Sequence, residues 1–110
     1  TDWPVRRAGI EVLAVLKDAA SLKLLLDAAV NRAEEAAVRG AALRALAERD
    51  AQETLELACH ALRDPEAMLY EDAYAALKTI ARTRRAEMQK ATKHCAPRAA
   101  NILKTVMSDE

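Results

Sequence analysis

A pattern that recurs about every thirty-two residues constrains this chain more than any other feature. Val5-Arg6-Arg7-Ala8-Gly9-Ile10-Glu11-Val12-Leu13 is echoed by Val38-Arg39-Gly40-Ala41-Ala42-Leu43-Arg44-Ala45-Leu46, and a weaker copy follows at Leu69-Tyr70-Glu71-Asp72-Ala73-Tyr74-Ala75-Ala76-Leu77. Self-similarity at this period marks a stacked array of helix pairs, each too small to bury its own apolar face and each covered by its neighbours.

Composition agrees with helices alone. Roughly a quarter of the 110 residues are Ala, there is no Phe, and only two Gly and three Pro occur, which leaves little material for sheet. The length suits one domain with a modest core. Two distant cysteines, Cys59 and Cys95, make no disulfide framework, so a reducing, cytoplasmic setting is expected. Lys17, Asp18, Lys23 and Asp27 interrupt the most hydrophobic region, and neither a membrane span nor a signal peptide is expected. The chain opens at Thr1 without Met, which suggests a piece of a longer array with an apolar end that promotes self-association.

Helix starts and apolar columns divide the chain into repeats of about 4–31, 32–64 and 65–95, with a terminal helix at 97–107. The first helix is expected from Pro4 to Leu16, with Val5, Ala8, Gly9, Val12, Leu13 and Leu16 forming one buried stripe. After a turn at Asp18, the second helix (about 20–30) buries Leu22, Leu25, Leu26 and Ala29. Asn31 with Glu34 has the spacing of a capping box and predicts a helix from about Arg32, whose Val38, Ala41, Ala42, Ala45 and Leu46 repeat the first stripe. Asp50 with Glu53 marks the next start, followed by Thr54, Leu57, Ala58, Ala61 and Leu62 inward. Asp64-Pro65-Glu66 opens the fifth helix with an acid cap and a Pro at its first position. The sixth, from about Arg84 to Cys95, has a thin apolar face of Met88, Ala91, Thr92 and Cys95, and after Pro97 a last helix covers the stack with Ile102, Leu103, Val106 and Met107. Gly9, Ala42 and Ala73 share a column, which predicts close helix approach at Gly9. Trp3 beside Pro4 is expected to staple the first helix or to stand as an exposed contact.

These residues resemble the HEAT repeats, in particular the short HEAT-like class first described in phycobilin lyases and related to the armadillo-type repeats. Its units open roughly Asp-Pro-x-Val-Arg. Pro4-Val5-Arg6, Val38-Arg39 and Asp64-Pro65 match parts of that opening, and Asp18 and Asp50 sit where the family often places an Asp between the two helices. The resemblance covers about residues 4–95. It implies an all-α fold, a right-handed α-solenoid of about three antiparallel helix pairs with a C-terminal capping helix, acting as a scaffold for protein-protein interaction. The third copy departs from the pattern at Tyr70 and Asp72, as a terminal cap or a surface altered for binding.

Charge is uneven along the chain. Residues 1–77 carry nine Lys or Arg against fourteen Asp or Glu, whereas residues 78–104 carry eight basic residues against Glu87 alone. A basic C-terminal patch of this kind suits an acidic protein segment or, alternatively, nucleic-acid phosphates, although the stretch has no aromatic residues on which bases could stack. The second helices of the pairs are expected to line one face, and Lys23, Asp27, Glu56, His60, Lys90 and Lys93, with Arg82, Arg84 and Arg85 at its basic end, are the candidate partner-binding residues. Cys59-His60 and His94-Cys95 resemble a four-ligand set, but adjacent helical residues diverge by about 100° and zinc-type spacings are absent. Cys95 is read as core filler and the two His as surface residues. No His-Glu pair, phosphate loop or nucleophile elbow occurs, so a non-catalytic protein without a cofactor is expected.

Overall fold

The computed structural model describes residues 2–49, 52–62, 67–95 and 97–108, with 67 and 68 described by their backbone alone. Among these residues there are seven helices and no strand: α1 (Trp3–Leu13), α2 (Ala19–Val30), α3 (Ala36–Glu48), α4 (Thr54–Ala61), α5 (Ala67–Thr83), α6 (Arg85–Thr92) and α7 (Pro97–Ser108). The fold is the expected all-α solenoid. Asp50 and Asp64-Pro65-Glu66, expected as helix starts, lie outside the described residues.

Packing follows one rule throughout. The first helices of the pairs, α1, α3 and α5, form a continuous row, with the most extensive contact between α3 and α5, and α7 extends that row at its far side. Each second helix leans chiefly on the first helix that follows it rather than on the one before, so α2 packs on α3, α4 on α5 and α6 on α7. The core lies along this row, where Leu43, Leu46, Leu69, Leu77, Met88, Leu103 and Val106 are almost fully buried. The expected inward columns of α4, α6 and α7 are largely in place, with Thr54, Ala58, Ala61, Leu62, Met88, Leu103, Val106 and Met107 buried, and Leu57, Ala91, Thr92, Cys95 and Ile102 half-buried.

Two helix ends differ from the sequence expectation because local competitors win. Past Leu13, α1 tightens, with Val15 N–H donating to Val12 O and Leu16 N–H to Leu13 O, so its last turn is no longer α-helical. The capping box at Asn31 and Glu34 does not form. Glu34 instead receives Arg6 through Nη2 at 2.8 Å and through Nε at 3.0 and 3.1 Å, since a guanidinium is a stronger partner for a carboxylate than a neutral amide. Asn31 Oδ1 turns to Ala33 N–H at 3.0 Å, and the helix starts at Ala36. Asp18, expected in the turn between the first two helices, caps α2, accepting from Ser21 N–H at 3.3 Å and from the Ser21 hydroxyl. Arg49 then ties this cap to the end of α3 by donating to Ser21 Oγ at 2.9 Å and to the Asp18 carbonyl at 3.0 Å.

The stripe expected to be buried on α1 is not. Val5, Val12 and Leu16 are 62%, 63% and 46% exposed, and Ala8 and Gly9 are exposed as well. The helix meets α3 instead through buried Ile10 and half-buried Leu13, Ala14 and Arg7. The corresponding residues of α3 are buried because α1 and α2 cover them, and no described element does this for α1. Gly9 has no packing reason, since a Cβ there would meet nothing within 4 Å. Trp3 is the first residue of α1 and 39% exposed, so it contacts solvent rather than stapling the helix.

The close approach lies instead at Gly40, two residues before Ala42 of the expected column. A Cβ on Gly40 would fall 2.6 Å from Cγ and 2.7 Å from Cβ of Asp72. Asp72 replaces an alanine of the earlier copies and is 4% exposed. Its carboxylate accepts from Arg7 Nη1 at 3.3 Å and from Arg44 Nε, so one side chain of the third repeat joins arginines of the first two. The departure from the repeat at Asp72 is therefore a packing device rather than an exposed surface altered for binding. Tyr70 and Tyr74, both half-buried, stack with centroids 6.4 Å apart, and Lys78 Nζ lies 5.8 Å from the Tyr74 ring centre.

Gly40→Ala should lower stability by about 1–3 kcal/mol although Ala is the better helix former, because the methyl group displaces the carboxylate. Asp72→Ala alone should cost about 1–3 kcal/mol. In the Asp72→Ala background, Gly40→Ala should become stabilising by about 0.5–1 kcal/mol, and urea denaturation of the four proteins measures this reversal. Gly9→Ala, in open space, should raise stability by about 0.5–1 kcal/mol when unfolding is followed in dilute protein.

Arg6 holds the Glu34 carboxyl below the usual carboxylate range, and the Ser21 hydrogen bonds do the same for Asp18. Both groups bind protons more weakly folded than unfolded. Their stabilising effect is complete above the unfolded values and disappears as pH falls through the lower folded ones. Melting temperature should therefore hold steady from neutrality to about pH 5 and fall below about pH 4, less steeply in Glu34→Gln.

Candidate functional site

Because α4 and α6 lean on different first helices, they do not pack closely on each other, and a groove of about 420 Å³ opens between them. Leu55 and Cys59 of α4 form one wall, Ala91 of α6 and Cys95 just beyond it form the other, and Ala99 of α7 closes the end. Glu56 and His60 rim one side, while Glu87 and His94 rim the other. Glu56 and His60, one turn apart on α4, approach to 3.9 Å. The result is an apolar slot with a polar edge, the usual form of a site that takes a side chain or a short segment from another molecule.

The candidate residues divide between this groove and other surfaces. Glu56 and His60 line it. Lys90 is exposed on α6, where the helical period places it beside Glu87, and it does not itself line the groove. Lys93 is exposed just past the end of α6 and does not line the groove. Lys23 and Asp27 are exposed on α2 and do not line the groove. Arg82 is exposed in the last turn of α5. Arg84 and Arg85 are engaged within the fold. Arg84 Nη1 donates to Glu87 at 3.0 and 3.2 Å, and Arg85 Nη2 donates to the Met107 carbonyl at 3.1 Å, near the negative end of α7. The basic run thus serves partly as helix-end chemistry.

Leu55, Ala91 and Ala99 were not among the residues singled out for binding. The trace in the sequence was the pair Cys59-His60 and His94-Cys95, whose four residues do line one groove. Both cysteines are free and half-buried, and both histidines are exposed, as expected. Among the described residues, no three His, Cys, Asp or Glu side chains converge as metal ligands.

A row of first helices, with second helices leaning on it in register, is the arrangement the period of thirty-two predicted. A family profile of HEAT repeats matches residues 1–78. The chain belongs to the HEAT-repeat family. The HEAT match ends within α5, at Lys78, the first residue of the basic run, and before α6 and α7. HEAT repeats commonly serve as protein-interaction scaffolds, and the family is generally non-catalytic. Comparison with curated proteins and with solved structures returned no match. None of the described HEAT helices is long and apolar enough to cross a membrane.

Proposed function

We propose that this protein is a non-catalytic HEAT-repeat scaffold that holds a protein segment in the groove between α4 and α6. The observation that carries this reading is the apolar slot of Leu55, Cys59, Ala91, Cys95 and Ala99, rimmed by titratable side chains. An apolar anchor of the partner, such as a Leu or Met on a short helix, would enter the slot, where burying it contributes about 1.5–3 kcal/mol. Acidic residues flanking that anchor would meet Lys90, with Lys93 and Arg82 extending the positive field further along the surface. Lys23 and Asp27 on α2 would touch only a longer partner. A protein partner is favoured over nucleic acid because the groove is apolar and because Arg84 and Arg85 already have partners inside the fold.

The test is affinity capture with three baits: the unchanged chain, Ala91→Glu in the slot, and Lys104→Glu on α7, away from it. A partner retained by the first and third baits and weakened at least ~10-fold by the second supports the reading. With the partner in hand, Lys90→Glu with Lys93→Glu should weaken binding by about 3–10-fold and reduce its salt dependence. Equal recovery by all three baits would falsify it. Steeply salt-dependent retention of duplex DNA, lost in the Lys90 and Lys93 variant, would replace the protein partner by nucleic acid.

A further inference from the structure

The two cysteines of the chain, far apart in sequence, stand on opposite walls of the groove between α4 and α6. Both are half-buried thiols, screened by the slot yet reachable through it. The walls that carry them have different supports. Cys59 lies on α4, which packs on α5, whereas Cys95 follows Thr92, the last residue of α6, in the link to α7. A link residue shifts its backbone without breaking a helical hydrogen bond, and α4 and α6 share little contact that such a shift would disrupt. Ala91 and Ala99, which line the same slot, add little bulk to hold the walls apart. His60 and His94 line the groove too, but among the described residues no three His, Cys, Asp or Glu side chains converge as metal ligands. A metal ion needs that convergence, whereas a disulfide needs only one pair of sulfurs to meet.

We propose that Cys59 and Cys95 form a reversible disulfide across the groove and that its formation shuts the slot. A side chain seated between the two sulfurs would hold them about 8 Å apart, with one contact of about 4 Å on either side. A disulfide brings them to about 2 Å, so an oxidised slot and an occupied slot exclude each other. The oxidant is a small disulfide such as oxidised glutathione. One protein thiolate attacks it, a glutathione thiolate leaves, and a mixed disulfide remains. The second protein thiolate then attacks the protein sulfur of that mixed disulfide and expels the second glutathione. Two protein thiols thus give up two electrons and two protons, and one glutathione disulfide takes them up to become two thiols. Reduced glutathione, entering through the same open side, reverses the step. Exclusion of a partner rests on the groove being the binding site, whereas the disulfide itself does not.

Equilibration in mixtures of reduced and oxidised glutathione, read by intact mass and peptide mapping, tests the disulfide without a partner. The unchanged chain should lose two hydrogens and yield a peptide pair joined through Cys59 and Cys95. Its equilibrium constant in native buffer should exceed that in concentrated urea at least ~10-fold, because the fold rather than chance loop closure brings the thiols together. Ala91→Glu, which puts a charge into the closing slot, should remove most of this excess with an unchanged circular dichroism spectrum, and Lys104→Glu on α7 should keep it. A native constant no larger than the urea value overturns the proposal, as does a chain that carries two glutathiones and no internal bond. So does an excess that Ala91→Glu leaves intact, since the slot then need not close. A protein retained by the reduced chain should be weakened at least ~10-fold on the oxidised chain and recovered on reduction. Retention by the oxidised chain overturns the switch and leaves the groove reading standing, while failure to capture any protein counts against the groove reading alone.

Discussion

The carboxylate of Asp72 is the contact on which the rest of the solenoid depends. Repeat arrays ordinarily couple each unit only to its neighbours, so their cooperativity decays along the stack. Here Arg7 in the first repeat and Arg44 in the second reach the same carboxylate in the third. Net stabilisation from such a group is small, because desolvating a buried carboxylate offsets much of its attraction to the arginines. Its effect is on register. If α5 slipped against α3, Asp72 would be left buried without a cation, which costs several kcal/mol, and Gly40 would no longer face the group that requires its missing side chain. The most extensive helix contact in the molecule, α3 on α5, is thereby held in one alignment.

Periodicity made part of this legible and concealed another part for physical reasons. The columns of α3 and α5 were readable because apolar residues at helical spacing are buried wherever a neighbour exists to cover them. The same reading failed on α1, since amphipathicity shows which face is apolar but not whether anything packs on it. The beginning of α3 was misplaced because Asn31 and Glu34 have capping-box spacing, while Arg6, 28 residues earlier, draws Glu34 away. Asp72 looked like a broken repeat because its partners lie 28 and 65 residues away, a distance at which spacing carries no information. The groove was the least legible feature. Its walls come from two helices that scarcely meet: the repeat placed the second helices along one face, but only the mirrored Cys and His pairs marked where α4 and α6 face each other.

The basic run shows how net charge misleads when it is treated as surface. Arg84 and Arg85 were counted with Lys90 and Lys93, yet each does local work at a helix end. Arg84 precedes α6 and pairs with Glu87 in its first turn, while Arg85 neutralises the carbonyl end of α7. Lysines on flexible stems keep their charge in solvent, whereas a planar guanidinium is readily recruited by carboxylates and carbonyls nearby. Lys90 and Lys93 are exposed, but neither lines the groove, whose rim carries Glu56 and Glu87.

The same leaning of second helices that opens the groove also determines how firmly it is held. A segment wedged between α4 and α6, as proposed, would press through them on α5 and α7 rather than on a single support. Were those two helices free to separate, the slot would widen and lose its close fit, and binding energy would go into ordering the scaffold. Each is anchored by a guanidinium: α5 through Asp72 to the arginines of the first two repeats, and α7 through Arg85 at the Met107 carbonyl. The alignment fixed deep in the row thus reaches the surface as a slot of defined width, and the proposed binding geometry would inherit the register of the repeats beneath it.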